Sequence, residues 1–157
     1  EVAALDTKGE PKTAGSLHFK ASDGTDTDLA ALKGKALLVN LWATWCAPCK
    51  AEMPALDRLQ AEFGGDRFQV VTINVETRNL DKPPKWLADN VIKNLAYYGD
   101  PAGKVLPAVQ QQTGSTGLQT TMLIDAAGCE VGVMKGPAEG ASEDGKAMIR
   151  ELIGGAT

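Results

Sequence analysis

The pentapeptide Trp45-Cys46-Ala47-Pro48-Cys49 stands at the end of one kind of sequence pattern and at the head of another. Before it, Ala36 to Trp42 (Ala-Leu-Leu-Val-Asn-Leu-Trp) is an apolar run interrupted only by Asn40, as expected of a strand buried on both faces. After it, Pro48 is tolerated in a first helical turn, where its missing N–H would have no intrahelical partner. Met53, Leu56, Leu59 and Phe63 then recur three or four residues apart until Gly64-Gly65 ends the pattern. This predicts a helix of about four turns, bent at Pro54, where a backbone donor is lost and the preceding turn is crowded. Phe68 to Val75 reads as the next buried strand, and a strand-helix-strand crossover favours a parallel pair. A cysteine pair at the strand-to-helix junction of such a unit restricts the chain to an α/β fold.

With 157 residues the chain is long enough for one domain with its own packed core. Residues 1–15 mix Lys, Thr, Gly and Pro without a hydrophobic period and read as an irregular lead-in, leaving 16–157 as the domain. Leu17, Phe19 and Ala21 alternate with polar residues before Ser22-Asp23-Gly24, which predicts an edge strand and a tight turn. A second helix is expected from Lys82-Pro83-Pro84 through Trp86, Leu87 and Val91, a short strand over Leu95 to Tyr98, and a helix over Val105 to Gln111. Thr120 to Asp125 and Glu130 to Lys135, separated by the turn Ala126 to Cys129, predict an antiparallel hairpin. Ser142 is placed to cap a last helix whose inward face uses Met148, Ile149, Leu152 and Ile153. Aromatic Trp86, Tyr97 and Tyr98 read as core and His18 as a strand surface residue. The net charge of −4 argues against a nucleic-acid partner, and no apolar run approaches the roughly 18 residues of a membrane span.

The chemistry rests on few residues, because the chain holds three cysteines, Cys46, Cys49 and Cys129, and one histidine, His18. A closed zinc site needs four ligands, which this inventory supplies only by drawing in residues far from the motif. Cys46 at a helix N-terminus meets unpaired N–H groups and the positive end of the helix dipole, which stabilise a thiolate and mark it as the attacking sulfur. Cys49, one turn on, is within reach to resolve a mixed disulfide. No organic or metal cofactor is required.

The run Leu38-Val39-Asn40-Leu41-Trp42-Ala43-Thr44-Trp45-Cys46-Ala47-Pro48-Cys49-Lys50 resembles the thioredoxin superfamily, specifically its TlpA/ResA/CcmG group and most closely the TlpA branch. Met53-Pro54-Ala55-Leu56, Thr120-Thr121-Met122-Leu123-Ile124-Asp125 and Gly136-Pro137-Ala138-Glu139 extend the likeness. The resemblance implies a thioredoxin-like fold, a central mixed sheet flanked by helices, with an N-terminal extension and a central insertion. It implies a periplasmic thiol:disulfide oxidoreductase, tethered through an N-terminal segment upstream of Glu1, that draws electrons from a membrane thiol donor and reduces client disulfides. Clients of TlpA relatives include a copper chaperone and a cytochrome oxidase subunit. CcmG-like relatives, which serve cytochrome c maturation, carry an acidic residue where this chain has Thr120, so that role is the alternative. Ala47-Pro48 holds no histidine, which places the expected potential nearer thioredoxin's, about −270 mV, than DsbA's, about −120 mV.

The resemblance also marks departures. Thioredoxin has a buried Asp at the position of Asn40, and Asn40 cannot titrate. Related reductants bring a glutamate after the second core strand toward the active site; Glu76 stands nearest that position and is the candidate for tuning the thiols, the alternative being a solvated loop carboxylate. Trp45 and Pro48 flank the sulfurs, Trp45 as a candidate client platform, whereas Trp42 can equally serve core packing. The alignment of Gly117-Leu118-x-Thr120-Thr121 puts Gln119 where the superfamily has a cis-proline. A cis bond before a non-proline residue costs about 2.5–4 kcal/mol, so a trans Leu118–Gln119 bond and a shifted client loop are expected. This opens two other readings, a binding module with slow turnover and a metal-capturing dimer sharing the sulfurs of two Cys46/Cys49 pairs. Gly140 stands where TlpA relatives carry Trp. Cys129, an odd cysteine, is expected to pair with a residue upstream of Glu1 or to remain a free buried thiol.

Overall fold

The computed structural model describes residues 5–6, 12–13, 17–32, 34–113, 118, 120–135 and 149–150. Among the described residues nine strands form one sheet: β1 (Leu5–Asp6), β2 (Lys12–Thr13), β3 (His18–Ala21), β4 (Asp26–Asp28), β5 (Ala36–Trp42), β6 (Phe68–Asn74), β7 (Tyr98–Gly99), β8 (Thr120–Ile124) and β9 (Cys129–Lys135). Their spatial order is β1-β9-β8-β5-β6-β7-β3-β4, with β2 also on β9. The pairs β5–β6 and β6–β7 are parallel and the remainder antiparallel, giving a mixed sheet. Among the described residues three complete α-helices accompany it: α1 (Ala47–Phe63), α2 (Lys82–Asp89) and α3 (Val105–Thr113).

The centre of the sheet follows directly from composition. Every residue of β5 is buried, as is all of β6 except Gln69, so the apolar runs are covered on both faces. Between them α1 makes the crossover, burying Cys49, Met53, Leu56 and Leu59 and running on through Pro54 to its cap at Gly64. Trp42 is fully buried and packs on Trp86 of α2 with ring centroids 5.6 Å apart, while Tyr98 meets Phe19 edge-on at 5.4 Å. Each large apolar side chain so removed from water contributes about 1.5–3 kcal/mol. The aromatic residues of the 86–98 stretch are partly buried and pack against the core, and His18 lies exposed on β3, near Asp28 across the hairpin.

Four expectations change. The stretch read as an irregular lead-in contributes β1 and β2, each of two residues and each antiparallel to β9. Helix α2 stops at Asp89, before Val91, because the chain turns there through a left-handed Val91 at φ 58°. The Val91 N–H donates to the Ala88 carbonyl and the Ile92 N–H to that of Leu87, the paired bonds of a Schellman ending. The short strand lies at Tyr98–Gly99 rather than starting at Leu95, and Cys129 opens β9 opposite Thr13 rather than sitting in the turn. Of the last expected helix, Ile149 and Arg150 are described as helical, with Ile149 buried and the Arg150 guanidinium over the Phe63 ring; Ser142 lies outside the described residues.

Candidate active site

The end of β5 delivers the cysteines. The Val75 N–H donates to the Trp42 carbonyl, continuing the β5–β6 ladder past the strand, and the Cys46 N–H donates to that of Ala43 to close a turn. Cys46 then takes the cap position of α1 with extended backbone, and its Sγ accepts from the Cys49 N–H at 3.4 Å. Pro48, in the first turn, costs the helix no hydrogen bond. Cys46 and Cys49 form a disulfide with Cα atoms 5.3 Å apart.

The two sulfurs differ in access. Cys46 is half-buried, whereas Cys49 is 3% exposed and faces the core. No acidic side chain stands in the first turn of α1, so nothing there offsets the positive end of the helix, which favours negative charge on Cys46 when the bond is open. Trp45, at 65% exposure, is the most exposed large apolar residue among those described, and Ala47 and Pro48 beside it are exposed too.

Behind this loop stands Glu76, two residues past β6. Its carboxylate accepts from the Thr44 N–H and the Thr44 hydroxyl, each at 2.7 Å, and from Asn74 Nδ2 at 2.9 Å. Its own N–H donates to Asn74 Oδ1. Glu76 is buried, which excludes the solvated-loop alternative. Burial alone would push its carboxyl up, but the bonds from Asn74 and Thr44 and the nearby Lys82 ammonium hold it below the usual carboxylate range. Burial, and then the Glu76 charge, push the Tyr97 phenol up.

Thr44 and Asn74 complete the site beyond the residues the sequence points to: Asn74, two residues before Glu76, carries a local turn signal, whereas the bond from Thr44 spans 32 positions and carries none. Asn40 is buried on β5, its Nδ2 donating to Thr121 Oγ1 at 3.2 Å, and its Oδ1 has no partner among the described residues. Leu118 is buried. Gln119, Gly140 and the bond between Leu118 and Gln119 lie outside the described residues, as does the Cys129 side chain. Among the described residues no cluster of three His, Cys, Asp or Glu could hold a metal ion, and no helix is long and apolar enough to cross a membrane.

Comparison with known proteins gives one consistent answer. The family described as Redoxin matches residues 7–149. The thioredoxin-like protein YneN of Bacillus subtilis is 43% identical over 65 residues, 41% of this chain and 38% of that protein. The thiol-disulfide oxidoreductase ResA of Oceanobacillus iheyensis is 40% identical over 58 residues, 37% of this chain and 30% of its own length. The chain therefore spans well under half the length of these curated relatives. Among solved structures, a thiol:disulfide interchange protein of the thioredoxin family from Chlorobium tepidum superposes with a TM-score of 0.74 at 29% identity, covering 93% of this chain and 99% of that one.

Proposed function

The chain belongs to the Redoxin family, and from that premise we propose that it is a thiol:disulfide oxidoreductase of the ResA type that reduces disulfides of client proteins outside the cytoplasm. The observation that carries this reading is the asymmetry of the Cys46–Cys49 disulfide: one accessible sulfur at a helix cap joined to one buried sulfur. In the reduced form the Cys46 thiolate attacks a client disulfide, forming a Cys46–client bond and expelling one client thiolate. The Cys49 thiolate then attacks Cys46, closing the intramolecular disulfide and expelling the second client thiolate. Two electrons pass to the client, and a membrane dithiol donor restores the pair. The sulfurs alone carry the chemistry, without a metal or organic cofactor.

The finer assignment rests on the resemblance in sequence. Thr120, where cytochrome c maturation relatives are acidic, favours clients of the TlpA kind, namely copper-handling proteins of oxidase assembly, over a CcmG role. The same resemblance implies a periplasmic location with an upstream anchor. Trp45 and Pro48 form the exposed rim that a client meets, and Glu76 tunes the pair by holding Thr44.

The test is trapping. A Cys49→Ser variant incubated with an oxidised client protein should accumulate a Cys46-linked mixed disulfide, seen as the summed mass on non-reducing analysis, and Cys46→Ser should give none. Equal trapping by both variants, or by neither while the wild type still oxidises, contradicts the assignment.

A further inference from the structure

We infer that Asn74 is a positioning residue of the redox site: its amide fixes Glu76 in the ionised form, which makes that carboxylate a permanent charge behind the Cys46 loop and bars it from carrying the protons that the thiols exchange. The inference rests on the oxidoreductase reading and deepens it by separating holding the site from moving its protons.

The orientation of the Asn74 amide is forced. A backbone N–H can only donate, so the atom facing the Glu76 N–H at 2.9 Å is the amide oxygen. The NH2 end therefore faces Glu76 Oε1, also at 2.9 Å. The same Oε1 accepts from the Thr44 N–H at 2.7 Å. Neither donor is able to accept, so Oε1 has no place for a proton. Oε2 meets the Thr44 hydroxyl at 2.7 Å, the one partner of the three that can reverse its role. Asn74 is 1% exposed and Glu76 7%, so water does not take over these bonds. Asn74 is itself fixed by the sheet: it ends the parallel ladders opposite Trp42 and Gly99, and its carbonyl accepts from the Asp100 N–H at 2.9 Å.

The titratable neighbours agree with this. The Lys82 ammonium, at the start of α2, favours the carboxylate. The Tyr97 phenol, ahead of β7, is pushed up by burial and then by the Glu76 charge, so it stays neutral. Asp100, just past β7, turns its Oδ2 to the Val105 N–H at 2.6 Å. The remaining groups are the sulfurs: two residues span at most about 7 Å, so an oxygen 2.7 Å from the Thr44 nitrogen lies within about 10 Å of the Cys46 backbone. A charge held there opposes the positive end of α1 and raises the Cys46 thiol above what the helix alone would set. Closing the Cys46–Cys49 disulfide as a client is reduced frees two protons, and these end on the two client thiolates rather than on Glu76.

The experiment follows glutamate carboxyl carbons by NMR in the isotope-labelled chain, oxidised and reduced, with the Glu76 signal identified by its loss in Glu76→Gln. In the wild type that signal should stay at its ionised position from about pH 5 to about pH 8.5 in both redox states. Asn74→Asp keeps the acceptor for the Glu76 N–H but sets a second carboxylate oxygen against Oε1, where the two must share a proton, so the Glu76 signal should titrate within that range. The rate of Cys46 alkylation against pH should then change from one step in the wild type to two in Asn74→Asp, and fall about threefold where the pair of carboxylates is fully ionised. A wild-type Glu76 signal that titrates in this range, in either redox state, overturns the inference. So does a folded Asn74→Asp protein with no new titration; if that variant does not fold, the wild-type titration still decides. A protein that fails to reduce hydroxyethyl disulfide contradicts the oxidoreductase reading, whereas a titrating Glu76 in a protein that reduces it contradicts this inference alone.

Discussion

Thr44 gives both of its donors, the backbone N–H and the side-chain hydroxyl, to the single carboxylate of Glu76, at 2.7 Å each. The residue that turns the chain out of β5 toward Cys46 is thereby fixed to the end of the neighbouring parallel strand. Thr44 is itself buried, so removing the acceptor strands an N–H away from water. Glu76→Ala should cost about 2–3 kcal/mol, the scale of a lost charge-assisted bond plus an unsatisfied donor. For a chain of this size that lowers Tm by roughly 5–10 °C. Glu76→Gln, which keeps an acceptor for the N–H, should recover part of the loss.

The same carboxylate makes a pH prediction with a definite sign. Its carboxyl lies lower in the folded protein than in the unfolded chain, so the unfolded state binds the proton more readily. The contribution is fully present above the unfolded carboxyl value of about 4.3 and is lost as pH falls through the lowered folded value. Thermal unfolding of the wild type and Glu76→Gln should differ at pH 7 and converge as acidification protonates the folded carboxylate. A gap that widens on acidification contradicts the assigned bonds.

Val91 is β-branched, 59% exposed and held at φ 58° by the hydrogen bonds that end α2. Left-handed backbone costs such a residue about 1–2 kcal/mol, part of which glycine returns as entropy of the unfolded chain. Val91→Gly should therefore stabilise the protein by about 1 kcal/mol, read as a higher midpoint in urea.

Asp100 is buried and its Oδ2 accepts from the Val105 N–H at 2.6 Å, satisfying the first turn of α3 from outside the helix. Asp100→Ala should cost about 1–2 kcal/mol, with hydrogen exchange accelerating first at the N-terminal end of α3.

Asn40 permits a test of the buried polar layer. Asn40→Asp places a carboxyl at 4% exposure with one observed side-chain partner, Thr121 Oγ1, and burial pushes that carboxyl up. Because the raised group favours its protonated form in the folded state, the penalty is small at pH 4 and grows to about 2–3 kcal/mol by pH 7. A variant equally destabilised at both values would mean that the residue acts by shape alone.

The elements legible in the sequence are those whose own residues decide them. Ala36–Trp42 reads as a buried strand because every residue suits burial, and the structure ends it at the same residues. Pro48, the Met53-Leu56-Leu59 spacing and Gly64 mark out α1 without help from elsewhere. What escaped depends on distant partners or on a residue opposing its own preference. Strands β1 and β2 are two residues each, too short for a period, and exist through pairing with β9. Val91 follows Leu87 at helical spacing, which extends the expected helix over it, yet it sits with left-handed backbone in the turn that ends α2. In the site, the cysteines and Glu76 could be named in advance, but the Thr44 clamp that gives Glu76 its place joins residues 32 positions apart.

The central claim, that Cys46 and Cys49 form a reversible and reducing pair, is tested most directly by an equilibrium titration of tryptophan fluorescence against a dithiol/disulfide buffer. Alkylation and mass identify the sulfurs that change. One two-electron transition is expected at Cys46 and Cys49, with a midpoint well below about −200 mV. A midpoint near about −120 mV would make the protein an oxidant, and a disulfide unresponsive across the range would make it structural; either result rules out a reducing pair.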